Sequence, residues 1–287
     1  MNIAHIDTAL RNALNHQDND FQCLWDAMNY SALAPGKRIR PYITLTVAEM
    51  LGGTEQNAMP FALAVECLHV SSLIHDDLPC MDNDTMRRGQ PTCHIQFDEE
   101  TALLAGDALM VYAFELASKA PLSPDIVVLA IKWLTQYAGV RGMMGGQMID
   151  LQSERRQTAI SLDTLYRLQS LKTGCLLKLA ARLGGLAAGK RSDDAVYVAM
   201  DNYTQALGLL FQITDDILDV TGDQEELGKS TGKDCRDGKS TFVSALGLDG
   251  ARTEAQRQAG LAVAAIVDYD KNNVLTELAR SLIKRKK

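Results

Sequence analysis

The stretch ALGLLFQITDDILDV, Ala206 to Val220, sets the reading of this chain. Its polar residues Gln212, Asp215, Asp216 and Asp219 fall at i, i+3, i+4 and i+7, one stripe of an α-helix. Leu207, Leu210, Phe211, Ile213, Ile217 and Leu218 cover the other faces, so this helix is too apolar to lie on a surface. A solvated acidic face ordinarily has basic residues four positions away, and this stripe has none. The three acids therefore point at a ligand.

About half a chain upstream stands a second acidic cluster, Asp76-Asp77-Leu78-Pro79-Cys80-Met81-Asp82. Pro79 disfavours helix at Leu78 and removes a helical donor. Asp76 is thus expected to close the last helical turn, with Asp82 returning after a bend. Upstream, His69, Ser72 and Asp76 share a face at i, i+3 and i+7, which tips His69 toward ligand contact. Carboxylates gathered this densely repel: two at about 4 Å cost about 1 kcal/mol in water and about 4 kcal/mol at a protein surface. Hard divalent cations between them remove that cost, and Mg²⁺ carrying a phosphate ligand fits the oxygen-only donor set. The pattern points to a metal-dependent enzyme acting on diphosphates.

Outward from these clusters, apolar residues recur at helical spacing almost everywhere. Helices are expected over 42–52, 59–77, 100–119, 123–141, 162–184, 193–220 and 255–283, with breaks at Pro35-Gly36, Gly52-Gly53, Gly89-Gln90-Pro91, Pro121, Gly145-Gly146, Gly184-Gly185 and Gly189. β signals are scarce, with no Asn-Gly turn and no sustained alternation. No linker, repeat or composition shift divides the 287 residues, so the expectation is one large all-α domain, a helical bundle spanning 1–287. The segment from Thr221 to Thr241 is the exception. Its four Gly and three Lys read as a long functional loop, expected to close over diphosphate and Mg²⁺.

The chain is 46% hydrophobic and carries a net charge of −7, which argues against a nucleic-acid partner. Six Cys without a CxxC pair read as free thiols in a reducing, cytoplasmic setting. The N-terminus lacks the pattern of a signal peptide, and no run of 18 uncharged apolar residues provides a spanning anchor. The positive charges are concentrated at a few places. Arg87-Arg88 follows the first acidic cluster, and Lys37-Arg38-Ile39-Arg40 opens a helix at Pro41. Lys172-Thr173-Gly174 and the loop lysines Lys229, Lys233 and Lys239 add more. Guanidinium forks grip phosphate bidentately, so these bases suit two separate anionic groups. The final Lys284-Arg285-Lys286-Lys287 reads as a solvated tail.

Taken together, GKRIRP (36–41), HVSSLIHDDLPCMDNDTMRRGQPTCH (69–94), LAGDAL (104–109), GGQMIDL (145–151), KTG (172–174), GLLFQITDDILDVTGD (208–223), LGKSTGKD (227–234) and GKST (238–241) resemble the trans-isoprenyl diphosphate synthases of the farnesyl and geranylgeranyl diphosphate synthase type. The resemblance runs from about residue 30 to the C-terminus. Its one noticed departure is Val243, where such proteins commonly have Pro. It implies a homodimeric α-bundle with a deep central cavity and Mg²⁺-dependent condensation of isopentenyl diphosphate with an allylic diphosphate. It further implies that Asp76 and Asp82, with Asp77 beside them, hold two Mg²⁺ and that Asp215 holds a third, supported by Gln212, Asp216 and Asp219. The allylic diphosphate would lie on these metals with Arg87, Lys172, Thr173, Lys229 and Lys239. Isopentenyl diphosphate would be gripped by Lys37, Arg40, His69 and Arg88.

Class I terpene cyclases share the first acidic motif, and catalytically silent partner subunits occur in such families. The complete second motif and GKRIRP disfavour a cyclase, and retention of all six acids disfavours a silent subunit. Product length turns on Ser71 and Ser72, at i−5 and i−4 from Asp76. In related synthases an aromatic residue here acts as a floor that stops the chain at C15, and two serines leave it low. The Leu78-Pro79 insertion pulls toward short products. The expectation is C15, with C20 as the alternative.

Overall fold

The structure, a computed structural model, describes residues 3–156, 160–221 and 240–285. It divides into two compact helical units. One holds the described residues up to Leu134 together with Leu183–Gly189, and the other holds Thr135–Arg182 and the described residues from Lys190 on.

In the first unit α1 (Ile3–Leu14), α2 (Gln22–Ala32), α3 (Ile39–Met50) and α6 (Glu99–Ser118) gather around α4 (Glu55–Asp76). Twelve of the 22 residues of α4 are buried on all faces, from Ala58 to Ile74, as a central core helix requires. Thr54 caps its start, its hydroxyl accepting from the Asn57 N–H. Asp98 does the same for α6, accepting from Thr101 N–H at 2.6 Å. Both helices are long and apolar enough to cross a bilayer, but 67% of the apolar window of α4 is buried inside the protein. α4 therefore belongs to a protein core. Between α4 and α6 lie a short hairpin, β1 (Met86–Arg87) and β2 (Gln90–Pro91), and one helical turn, α5 (Cys93–Gln96). The hairpin is a feature the sequence pattern did not show. Its two-residue turn puts Arg88 at φ 53° and Gly89 at φ 79°, the primed geometry that suits a tight hairpin.

α7 (Pro124–Ala138) begins in the first unit and ends in the second. The second unit holds α8 (Met143–Arg156), α9 (Leu162–Gln169), a π-helical turn (Ser170–Gly174), the first part of α10 (Cys175–Ala187), α11 (Val196–Thr221), α12 (Phe242–Ile266) and α13 (Val274–Ile283). α11 and α12 pack along their lengths and form its core.

Several expected boundaries are corrected here. Gly145-Gly146 and Gly184-Gly185 do not break helices but lie inside α8 and α10. A Cβ at Gly146 would come within 2.3 Å of the Lys172 nitrogen, and one at Gly184 within 2.4 Å of the Thr44 carbonyl oxygen. These glycines serve close backbone approach, not turns. The expected helix 255–283 is two helices, and the first continues a segment that starts at Phe242 and kinks at Gly247, where φ is 72° and ψ 164°. The break falls at Asp270–Asn273: Asn273 has φ 57°, and the Asp270 carboxylate accepts the backbone N–H groups of Val274 and Thr276. The 162–184 helix is continuous except where Ser170–Gly174 loosens into the π turn. Extra turns of this kind recur at functional sites.

Candidate active site

The first acidic cluster is built on the end of α4. Asp76 is its last residue and Asp77 its C-cap. Pro79 lies past the helix end, and the chain folds back so that the Asp82 N–H donates to the Asp76 carbonyl at 2.9 Å. That bond sets the backbones of Asp76 and Asp82 side by side, with both side chains half-exposed. Asp77 behaves differently. It is 3% exposed, and the Arg87 fork takes both its oxygens, Nε at 2.8 Å from each and Nη2 at 2.6 Å from Oδ1. Burial pushes the Asp77 carboxyl up from its ordinary value, and the Arg87 pairing works against that.

Seven residues back along α4, His69 lies among arginines. Burial, then the charges of Arg40, Arg88, Arg87 and Arg38, hold its imidazole well below the ordinary histidine range, so it is neutral at physiological pH. The Arg88 guanidinium lies against Gly36, where a Cβ would approach Nη1 to 2.8 Å. Burial lowers Arg40 to about 10, Glu66 opposing and Arg88 assisting the shift, and the Arg40 Nε is enclosed without a hydrogen-bond partner. Arg38 sits beside them in a different role. It is buried, with φ 49°, and its guanidinium is consumed by Asp7 at 2.7 Å, Glu66 at 2.9 Å and the Ala34 carbonyl at 3.0 Å. Arg40, Arg88 and His69 thus share a neighbourhood whose buried acids, Glu66 and Asp77, are already paired with Arg38 and Arg87. An anion is what such a site lacks. Lys37 stands exposed at its edge in sequence. Ser71 is buried, and the half-buried Ser72 donates to the His69 carbonyl at 2.8 Å.

In the second unit the stripe of α11 divides. Asp215 and Asp219 are half-exposed and Asp216 is 3% exposed. Asp216 accepts from Gln212 Nε2 at 2.9 Å and from the Phe242 N–H at 2.7 Å. Asp215 meets Arg285, Nη1 to Oδ1 at 2.5 Å, and the Arg285 guanidinium stacks 5.1 Å over the Phe211 ring. The solvated-tail reading is therefore corrected at Arg285: a stacking aromatic ring and a carboxylate hold it. Lys172 projects from the π turn, which Gly146 of α8 and Gly208 of α11 approach closely. Its Nζ donates to Asp150 at 2.6 Å, while Thr173 Oγ1 is 3.4 Å from Gln169 Oε1. Asp150, Glu66 and Arg285 were not singled out from the sequence, although Asp150 lies within the quoted GGQMIDL run. Lys229, Lys233, Lys239, Lys286 and Lys287 lie outside the described residues, as does almost all of the 221–241 loop.

Among the described residues no group of three or more His, Cys, Asp or Glu side chains forms a metal cage. That suits Mg²⁺, which keeps several waters and takes one or two carboxylates plus substrate phosphates in place of an all-protein cage. The half-exposed Asp76–Asp82 pair and the half-exposed Asp215 and Asp219 fit that donor set.

The sequence of residues 21–278 matches the family model for polyprenyl synthetase. The chain is 44% identical over 264 residues to a farnesyl diphosphate synthase of Haemophilus influenzae, covering 92% of this chain and 89% of that protein. It is also 44% identical over 264 residues to geranylgeranyl pyrophosphate synthase 7 of Arabidopsis thaliana, covering 91% of this chain and 76% of the other. A crystal structure of a geranyltransferase from Helicobacter pylori, complexed with magnesium and isoprenyl diphosphate, superposes with a TM-score of 0.87 at 37% identity, covering 98% of this chain and 94% of that one. The chain belongs to the polyprenyl synthetase family of prenyltransferases and has its all-α isoprenoid synthase fold.

Proposed function

We propose that this protein condenses isopentenyl diphosphate head-to-tail with dimethylallyl or geranyl diphosphate, releasing pyrophosphate and giving farnesyl diphosphate. The observation that carries this reading is on one helix. α4 presents the Asp76–Asp82 pair at its end and, seven residues earlier, His69 among Arg40 and Arg88. Seven residues are about 10 Å of helix rise, room for two diphosphates held by different chemistry. A cyclase has one diphosphate to bind and no use for the second grip.

Three Mg²⁺ ions, when bound, neutralise the allylic leaving group and stabilise its departing charge as Lewis acids. Asp76 and Asp82 hold two, and Asp215 with Asp219 the third. Arg87 and Lys172, with Lys229, orient the allylic diphosphate. Lys37, Arg40 and Arg88 bind isopentenyl diphosphate, and neutral His69 donates a ring N–H without adding charge. The allylic C–O bond breaks, the isopentenyl double bond forms the new C–C bond, and the proton lost in elimination passes to the released pyrophosphate. Mass analysis of the product from isopentenyl and geranyl diphosphates tests the reading: C15 is expected, and absence of an elongated product overturns it.

The Leu78-Pro79 insertion supports C15 against the low floor left by Ser71 and Ser72, while the 44% identities to a C15 and a C20 synthase are equal. Ser71→Tyr is expected to shorten the product or leave it at C15, and a longer product contradicts the steric account. The unbroken family match from 21 to 278 supports one synthase domain acting as a unit. Leu104 and Val111, 56% and 67% exposed and seven residues apart on α6, support a homodimer, to be checked by sedimentation equilibrium. The free thiols among the described cysteines agree with a cytoplasmic enzyme.

A further inference from the structure

The two acidic clusters, built on different backbone geometries, treat their second aspartate alike. Asp77 and Asp216 are each 3% exposed, while Asp76, Asp82, Asp215 and Asp219 are half-exposed. Each buried acid has both oxygens engaged by groups from a later segment or its own helix. Asp77 takes the Arg87 fork from ten residues on, and Asp216 takes the Phe242 N–H from 26 residues on and the Gln212 amide. The segments so fastened adjoin, in sequence, bases assigned above to diphosphate. Arg87 lies beside Arg88 at the hairpin tip, and Phe242 follows Lys239-Ser240-Thr241.

We infer that Asp77 and Asp216 are positioning residues that lock a phosphate-gripping segment to the metal-bearing helix, and that the metal-binding work falls to the outer acids of each cluster. This rests on the function proposed above. A Mg²⁺ ligand needs an open oxygen and space for the ion's waters, which a 3% exposed, doubly engaged carboxylate does not offer. The fastening has a clear physical use. Arg88 holds a left-handed conformation that a non-glycine residue adopts only when its surroundings enforce it. The Asp77–Arg87 fork fixes the residue before Arg88 and so supports that turn. At the second cluster, Phe242 is the first residue of α12 and its N–H is one of the orphan donors of a helix start. Asp216 satisfies it, and so holds the short first segment of α12 that runs to the kink at Gly247. Ser240 is held as well, its Oγ accepting from the Ile160 N–H at 3.3 Å, and the Phe242 ring packs edge-on against Tyr166.

The test separates the two roles by readouts that do not require turnover. Asp77→Asn and Asp216→Asn are nearly isosteric. Amide hydrogen exchange is measured over 84–92 and 242–246, and the Mg²⁺ concentration for half-maximal pyrophosphate binding is measured by calorimetry. Loss of a charge-assisted pair should speed exchange in the fastened segment about tenfold or more while the Mg²⁺ requirement stays within about twofold of wild type. Asp76→Asn should do the reverse, leaving the hairpin amides unmoved and raising the Mg²⁺ requirement about tenfold. A Mg²⁺ requirement raised as much by Asp77→Asn as by Asp76→Asn, or unchanged exchange in the fastened segment, overturns the inference. Should an Asn variant fail to fold, Arg87→Lys and Gln212→Met keep both carboxylates: faster exchange supports positioning, and unchanged exchange overturns it. If wild type binds Mg²⁺ and pyrophosphate but condenses nothing, the proposed activity fails while the exchange data still report on positioning.

Discussion

The two acid clusters, proposed to hold the same kind of metal, are built on different scaffolds. The first needs a chain reversal: Asp76 and Asp82 would lie on different faces of a straight helix, and the Leu78-Pro79 bend, closed by the Asp82-to-Asp76 backbone bond, sets them side by side. The second needs no reversal, because Asp215, Asp216 and Asp219 already share a stripe on the single helix α11. The consequence is a difference in what completes each. The first is finished by its own next segment, the hairpin bearing Arg87 and Arg88. The second is finished from afar, by Phe242 and by Arg285. The first cluster is thus self-contained and stands near a preformed cation cluster, while the second has a cation of the chain itself seated on its leading acid.

Removing the leading acid of either cluster is the harshest way to probe that likeness. Asp76→Ala and Asp215→Ala are each expected to lower turnover by more than about 10³, roughly 4 kcal/mol of transition-state stabilisation, with helicity by circular dichroism unchanged. Near-normal turnover in one but not the other would mean that the clusters are not equivalent metal sites.

The cation cluster beside the first motif gives the next largest effect. Arg40→Ala should raise the KM for isopentenyl diphosphate about 10- to 100-fold, as for loss of a charged hydrogen bond, and leave the KM for geranyl diphosphate within about threefold. An equal rise in both constants would show that the two grips are not separate.

His69 links this cluster to pH. Its folded-state pKa is depressed below the ordinary 6.5, by burial and the arginines, so the unfolded chain binds a proton that the folded chain refuses. Stability is therefore unaffected by this group above about pH 7 and falls as pH drops through the unfolded value, by at most about 1.4 kcal/mol per pH unit. His69→Gln should flatten the dependence of Tm on pH between about 6.5 and 5. An unchanged slope would place the acid sensitivity elsewhere.

Arg285 gives the smallest effect and sharpens the contrast most. It occupies Asp215 where a metal is proposed, and ion pairs of this partly exposed kind contribute up to about 1 kcal/mol. Arg285→Gln should lower the Mg²⁺ concentration for half-maximal activity about two- to fivefold. A rise instead would make Arg285 part of the grip on the ligand.

How much of this was legible in the sequence follows from where the partners come from. The α11 stripe and the bend after Asp76 were readable because periodicity and Pro79 act within a few residues. Asp77 and Asp216 could not be told from their neighbours, since spacing is blind to partners 10 and 26 residues away. Arg38 looked like one more phosphate base until Glu66 and Asp7, 28 and 31 residues distant, were seen to neutralise it. Gly146 read as a helix break because a glycine needed for backbone approach looks the same in sequence as one needed for a turn. The hairpin was hidden because its turn uses Arg88 where Asn would have given the signal.

The most direct measurement of the central claim, that two diphosphates are bound and joined, is pyrophosphate release from geranyl diphosphate by the wild-type protein with Mg²⁺, in the presence and absence of isopentenyl diphosphate. Release that depends on isopentenyl diphosphate is the predicted result. Release without it, as a cyclase would give, or no release under either condition, as a silent subunit would give, contradicts the account.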